Sequence, residues 1–359
     1  MDRLDKRITN LDGRVTEKIY SLIAEIDAVR ASWRITNSVA PQVLDRLTES
    51  AIITSTGSSN RIEGNRLSDE EVKSIYRNIN IKKFKTRDEQ EIAGYIETLQ
   101  FVFDSYEEIS VSESNVLWLH KGMLKYCEKD KCHRGNYKIG PNRVEARNHS
   151  GNVVGIVFDP TPPHLVRKEM SELIDWYNGT MGLKHPLIVT ANFIFEYLAI
   201  HPFQDGNGRT SRLLSNLMLL RSGYFFTKLA SHEQVIEANK AEYYKVLNHT
   251  QTTWKTDHED LSEWILFFLE VVKIQSQKVI EVMTQDNFER LLSEKQLVVW
   301  NYILRLHGAE FSRKDVISGT GITAITVESI IKKFLNMNKL TRLGQGRATR
   351  YKHGAQNLM

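Results

Sequence analysis

The residues best equipped for chemistry lie in one run, His201-Pro-Phe-Gln-Asp-Gly-Asn-Gly-Arg-Thr-Ser-Arg212. Gly206 and Gly208 flank Asn207, so the backbone there can approach a ligand closely. A helix starting at once would aim its unpaired N–H groups at an anion. Arg209 and Arg212, three residues apart, fall near one face of that helix, and their guanidinium forks suit phosphate oxygens. Asp205 adds a single carboxylate beside the phosphates, which is how Mg²⁺ is usually held, with the remaining oxygens coming from phosphate and water. His201, with an ordinary pKa near ~6.5, suits a general base that takes a proton from an attacking hydroxyl. Phe203 reads as an apolar anchor for the loop. A lone histidine or a Gly-Asn-Gly turn is a common structural feature, but the whole set within one inter-helix loop reads as a phosphate-handling catalytic site.

Two helices must hold this loop. The first, PLIVTANFIFEYLAI, places Leu187, Ile188, Ala191, Phe195, Leu198 and Ala199 toward a core and stops at His201-Pro202, because proline removes a donor and disfavours helix before it. The second runs from about Arg209 to Arg221 and ends at Gly223. Upstream, helices are predicted over residues 14–35 and 43–53, with the small polar cluster Thr54 to Asn60 interrupting them. Ser68 with Glu71 marks another helix start, and residues 87–109 and 112–127 carry helical periodicity. The stretch from Lys138 to Phe158, with Gly-Pro, a polar turn and VVGIVF, predicts a short hairpin. Helices follow at LVRKEMSELIDWYN and over about 231–250 and 259–285. The fold class is therefore mainly α with one hairpin, followed by a small α+β unit over residues 286–359. We expect an N-terminal helical region at 1–110 and a catalytic core at 111–285.

With 359 residues, 41% apolar and 26% charged, the chain has the make-up of a globular protein with one sizeable core and smaller attachments. The start, MDRLDKRITNLDGRV, has no signal-like apolar run, and no stretch reaches the ~18 apolar residues of a membrane span. The expectation is a cytoplasmic protein with no membrane partner. Cys127 and Cys132 are the two cysteines, at a spacing that suggests neither a disulfide framework nor a zinc site. The net charge of +4 is uneven: residues 291–359 hold 11 Lys and Arg against 4 Asp and Glu, while the rest holds 37 against 40. That surplus suits a nucleic-acid surface, and equally a solvated face.

The run from His201 to Arg212 resembles the Fic family motif, H-x-F-x-[DE]-G-N-G-R-x-x-R, at every specified position. The resemblance implies an all-α core that binds ATP with Mg²⁺ and moves AMP onto a Ser, Thr or Tyr hydroxyl of a target protein, releasing pyrophosphate. His201 would be the catalytic base and Asp205 the metal ligand. Gly206, Asn207, Gly208, Arg209, Thr210 and Arg212 would bind ATP, the two arginines at the β and γ phosphates. The hairpin near 138–158 resembles the family's flap, which docks the target by strand addition. Tyr243, Tyr244 and Gln251 in KAEYYKVLNHTQ become candidate nucleoside contacts, with ordinary helix packing as the alternative for the tyrosines.

Ser59-Asn-Arg-Ile-Glu63-Gly64 is similar to the family's inhibitory motif, [ST]-x-x-x-E-[GN], on a helix at about 55–65 with Gly64 as C-cap. This makes Ser59 and Glu63 inhibitory residues: Glu63 paired with Arg212 would take the fork that the γ phosphate needs. A carboxylate held there could also align water for removal of AMP. The final sixty or so residues resemble a winged-helix domain, with Gly344 to Arg347 at the wing tip, Tyr351 on the returning strand and a recognition helix from Thr323 to Asn336. Lys332, Lys333, Arg342, Arg347 and Arg350 would then contact DNA phosphates; protein docking is the rival. The leading expectation is thus an autoinhibited, self-modifying protein adenylyltransferase, with a homodimer as one arrangement. The alternatives are a nucleotide-sensing DNA-binding regulator and transfer of another phosphate-linked group.

Overall fold

The structure is a computed structural model describing residues 3–9, 11, 13–33, 41–79, 83–142, 144–147, 153–290, 292–337, 339–344 and 349–353. The chain divides into two compact units, Met1–Ile280 and Glu281–Met359. The first unit contains helices α1 (Arg3–Thr9), α2 (Gly13–Trp33), α3 (Pro41–Ile62), α4 (Asp69–Arg77), α5 (Arg87–Ser105) and α6 (Glu113–Met123). An antiparallel hairpin follows, β1 (Val144–Arg147) with β2 (Val153–Phe158), pairing Val144 with Phe158 and Arg147 with Val153. Then come α7 (Pro163–Thr180), α8 (Pro186–Ile200), α9 (Asn207–Arg221), α10 (His232–Ala238), α11 (Lys240–Gln251) and α12 (Ser262–Arg290), which runs past the unit boundary. No helix among the described residues is long and apolar enough to cross a membrane. Both cysteines are free, Cys127 buried and Cys132 exposed.

The first core is built around α8. From Val189 to Ile200 every residue of this helix is buried, so it is an all-round core helix rather than an amphipathic one. Ile188, predicted to face the core, is partly exposed. The helix ends where predicted: His201 adopts a left-handed conformation (φ 52°), its N–H still bonded to Tyr197 O at 3.0 Å, and Pro202 follows.

Two expectations need correction. The polar cluster from Thr54 to Asn60 does not break the helix; α3 runs unbroken to Ile62. Its small residues are buried instead. The Asn60 amide donates to Thr56 O at 2.8 Å, and a side chain at Gly57 would meet Arg61 Nη1 and Asp69 Oδ1 at 2.7 Å. Small polar residues here permit close packing against α4, α5 and α10 rather than marking a turn. The N-terminus, read only for its lack of an apolar run, forms α1, which is pinned by buried charge. Arg7 Nε donates to Asn192 Oδ1 at 2.7 Å, and the Arg7 and Arg3 guanidinium groups pair with Glu196 and Glu259.

The second unit comprises α13 (Glu294–Arg305), α14 (Arg313–Thr320), α15 (Ala324–Asn336) and the antiparallel pair β3 (Leu340–Leu343) and β4 (Arg350–His353). Its core joins Trp300, Phe311, Val327, Ile331 and Phe334. Gly321, in a left-handed conformation at φ 70°, ends α14 and lets the chain turn into α15. Lys332, Arg342 and Arg350 are exposed, and Lys333 donates to Gln296 Oε1 at 2.8 Å. Tyr351 lies on β4 opposite Arg342 and exchanges backbone bonds with Phe311. Arg347 lies outside the described residues.

Candidate active site

The loop between α8 and α9 is closed by its own asparagine. Asn207 Oδ1 accepts the Phe203 N–H at 2.9 Å and Asn207 Nδ2 donates to Phe203 O at 2.7 Å, so one side chain satisfies both backbone groups of the anchor residue. Phe203 is fully buried, stacked on the His120 ring with centroids 3.7 Å apart. His120 Nδ1 accepts the Gly135 N–H at 2.9 Å, so its other nitrogen carries the proton and donates to Asp205 O at 3.0 Å. Burial holds the His120 pKa down at about 4, which keeps this strut neutral. From the other side, Asn142 Nδ2 donates to His201 O at 3.2 Å and Phe203 O at 2.6 Å. Lys138 donates through its backbone to Pro202 O at 2.9 Å and through Nζ to Ile200 O at 3.3 Å. His120, Lys138 and Asn142 carry no mark of this role in the sequence, since their spacing from the loop follows no period.

His201 is placed for proton transfer. Its Nδ1 lies 3.3 Å from Leu198 O, and a carbonyl only accepts, so Nδ1 carries the hydrogen and Nε2 keeps its lone pair. Burial, then the nearby Lys138 charge, pushes its pKa down to about 4, and the ring is neutral at pH 7.

Helix α9 starts at Asn207, two residues earlier than predicted, with Gly206 as N-cap at φ 79°. A side chain at Gly206 would strike Met123 Cε at 2.7 Å. Thr210 N is the first amide to bond back, to Gly206 O at 2.9 Å, so the amides of residues 207–209 are the initial turn's donors. Thr210 is turned inward: its hydroxyl also donates to Gly206 O, at 2.9 Å, and the residue is fully buried. This differs from its expected place among the ATP-binding residues, because the fourth residue of a helix has its amide and this rotamer turned inward.

The two arginines have separate surroundings. Arg212 Nε donates to Ser59 Oγ and its Nη2 to Ser59 O and Glu63 Oε1, each at 2.8 Å. Glu63 Oε1 also lies against the first turn of α9, where a side chain on Gly208 would come within 2.1 Å of it. The end of α3, just before Glu63, is held by Arg61, whose Nε and Nη2 reach both Glu237 oxygens at 2.6 and 3.0 Å while Nη1 donates to Asp69 Oδ1 at 2.9 Å. Arg209 instead turns to α5, its Nη1 3.1 Å from Glu91 Oε1 and its Nη2 3.5 Å from Asp205 Oδ1.

Asp205 Oδ1 accepts the Gly206 N–H at 2.6 Å and Oδ2 accepts Arg87 Nη2 at 2.8 Å. No group of three or more His, Cys, Asp or Glu side chains suited to a metal occurs among the described residues. A single half-exposed carboxylate beside a helix N-terminus fits Mg²⁺ arriving with phosphates, not an all-protein metal cage.

Tyr243 and Tyr244 form an edge-to-face pair with centroids 5.0 Å apart, and the Tyr244 hydroxyl lies 3.5 Å from Ile62 O. They therefore lie beside the Glu63–Arg212 contact. Gln251 is buried about two turns further along α11, at its C-terminal end. The hairpin backbone is described at residues 144–147 and 153–158; the rest of the span between them, with residue 143, lies outside the described residues.

Residues 110–219 match the Fic/DOC family. The protein adenylyltransferase fic-1 of Caenorhabditis elegans is 32% identical over 171 residues, covering 45% of this chain and 30% of that protein. The protein adenylyltransferase Fic of Drosophila willistoni is 29% identical over 205 residues, covering 56% of this chain and 38% of that protein. The chain thus spans about a third of the length of these curated relatives. Among solved structures, a Fic family protein from Desulfovibrio desulfuricans G20 aligns with TM-score 0.59 at 22% identity, covering 95% of this chain and 97% of that one. Residues 134–508 of Caenorhabditis elegans Fic-1 align with TM-score 0.58 at 22% identity, covering 76% and 73%. With the helical fold, the loop geometry and these similarities in agreement, this chain carries a Fic domain, matched over residues 110–219.

Proposed function

We propose that the protein transfers AMP from ATP to a Ser, Thr or Tyr hydroxyl of a protein target and that Glu63 holds this activity in check. The observation that carries the reading is the assembly of a neutral His201, with Nε2 free, and the N-terminus of α9 beside Arg212 on one loop. His201 Nε2 takes the proton of the target hydroxyl as its oxygen attacks the α phosphorus, and pyrophosphate leaves. The low pKa keeps the base unprotonated at rest, and phosphate charge nearby makes proton uptake easier when substrate is bound. The amides at 207–209 and Arg212 stabilise the phosphate oxygens. Asp205 would hold Mg²⁺, which when bound neutralises phosphate charge.

Glu63 takes the Arg212 fork and also covers Gly208, two places where phosphate oxygens would go. ATP must displace it to adopt a productive pose. The backbone of β1 and β2 supports strand addition by the target. The proposed test is incubation of the Glu63→Gly protein with labelled ATP and Mg²⁺ in cell lysate, with the Glu63→Gly/His201→Ala protein as control. Label on target proteins and on the chain itself, lost with His201→Ala, is the expected result. Label that survives that change overturns the assignment of the base.

For the second unit, the order α13–α14–α15–β3–β4 with exposed Lys332, Arg342 and Arg350 supports a winged-helix reading. Salt-dependent duplex DNA binding by the full chain, weakened by Arg342→Ala with Arg350→Ala, is expected if this unit contacts phosphates. Binding that ignores salt would favour a protein partner.

A further inference from the structure

Asp205, read above as the ligand of a divalent cation, already holds a cation of the protein's own. Arg87 is the first residue of α5, and its Nη2 donates to Asp205 Oδ2 at 2.8 Å while its Nε donates to Glu91 Oε1 at 2.9 Å. Its Nη2 also lies 3.7 Å from Asp130 Oδ2. The other Asp205 oxygen is engaged by the Gly206 N–H at 2.6 Å and faces Arg209 Nη2 at 3.5 Å. Both carboxylate oxygens are therefore satisfied without metal.

The electrostatics follow from these positions. A dication on Asp205 Oδ2 would stand where the Arg87 guanidinium stands, beside Arg209 and the positive end of α9, and like charges at such distances repel strongly. A guanidinium does not deprotonate, so Arg87 must move aside physically. The geometry allows it. The Arg87 side chain is 44% exposed, whereas that of Arg209 is 3% exposed and locked beneath the loop. Glu91 and Asp130 remain to hold Arg87 once it leaves Asp205. Phosphates on the first turn of α9 bring the negative charge that makes a dication acceptable next to Arg209.

We propose that Arg87 is a positioning residue that stands in for the divalent cation at Asp205 and makes cation binding depend on the arrival of nucleotide phosphates. This rests on the reading of Asp205 as the metal ligand. In this scheme the cation enters with the nucleotide, not before it, and Asp205 is kept aimed and ordered in the interval.

The test is Mn²⁺ binding to the full chain, read by electron paramagnetic resonance as the loss of free-ion signal, so no turnover is involved. Wild type, Arg87→Gln, Asp205→Asn and the double variant are titrated without nucleotide, and then in a Glu63→Gly background with a non-hydrolysable ATP analogue. Without nucleotide, Arg87→Gln is expected to bind Mn²⁺ on the order of tenfold more tightly than wild type, with the gain lost in the double variant. With the analogue the gap should close. Equal nucleotide-free affinity for wild type and Arg87→Gln, while both bind Mn²⁺ through Asp205 when the analogue is present, overturns the proposal and leaves the metal reading standing. Binding with the analogue that ignores Asp205→Asn overturns the metal reading, and this proposal with it. Melting curves report folding; if the glutamine variant does not fold, Arg87→Ala removes the same charge at the same helix start.

Discussion

Arg209 and Arg212 sit less than one turn apart on α9, yet their guanidinium groups pair with carboxylates from different segments. Arg212 faces the end of α3, where its carboxylate partner, Glu63, is 31% exposed; Arg209 faces α5, where Glu91 is 11% exposed and also receives Arg87. Two chemically identical guanidinium groups thus have carboxylate partners at different depths. Glu63 lies just beyond the last turn of its helix, followed by Gly64 at φ 99°, whereas Glu91 lies inside a helix. We expect the depth of the carboxylate partner, not the arginine itself, to set how readily each guanidinium can be drawn to a phosphate.

Exchanging the fate of the two carboxylates should break the comparison most visibly. Glu63→Gly removes the carboxylate from Arg212 while leaving its Ser59 bonds, and self-labelling with AMP should rise on the order of tenfold or more, as expected when a competitor worth a few kcal/mol is removed. Unchanged or lower incorporation would sink the inhibitory role. Glu91→Gln should do the reverse. It leaves the buried Arg209 charge without its nearest counter-charge, so unfolding free energy should fall by about 3–5 kcal/mol with no gain in labelling. Denaturant titration checks the first part and labelled ATP the second; activation by this variant would erase the distinction.

The effect smallest per unit change in conditions concerns the strut beneath the loop. Burial lowers the His120 pKa to about 4 in the folded state, against an ordinary ~6.5 unfolded. The unfolded chain therefore binds the extra proton first, and stability is lost as pH falls from about 6.5 toward 4. Each such histidine contributes about 1.4 kcal/mol per pH unit across that window. His120→Gln should flatten the slope of stability against pH by that amount; an unchanged slope would mean that the ring titrates normally.

Much of the site was legible because it is local. His201, Asp205, the two glycines and both arginines lie in one loop between helices whose ends are written by Pro202 and Gly206. The cluster from Thr54 to Asn60 misled because small polar residues mean a turn when solvated and close helix packing when buried, and burial is not a local property. Arg87, Glu91, His120, Lys138 and Asn142 were silent for the same reason: each is ordinary where it stands in the chain and gains a role only across the fold.

The sequence alone established that a histidine, a carboxylate, two glycines and two guanidinium groups share one loop, since residue type and spacing are read directly. It also determined the mainly helical class, since periodicity is a local signal. Only the tertiary structure decided which carboxylate meets which arginine and which nitrogen of His201 is free. The same holds for Thr210, which lies closed off in the helix, and for Asp205, which is held by Arg87. Those outcomes depend on distances of about 3 Å between groups far apart in sequence, and such distances are set by packing.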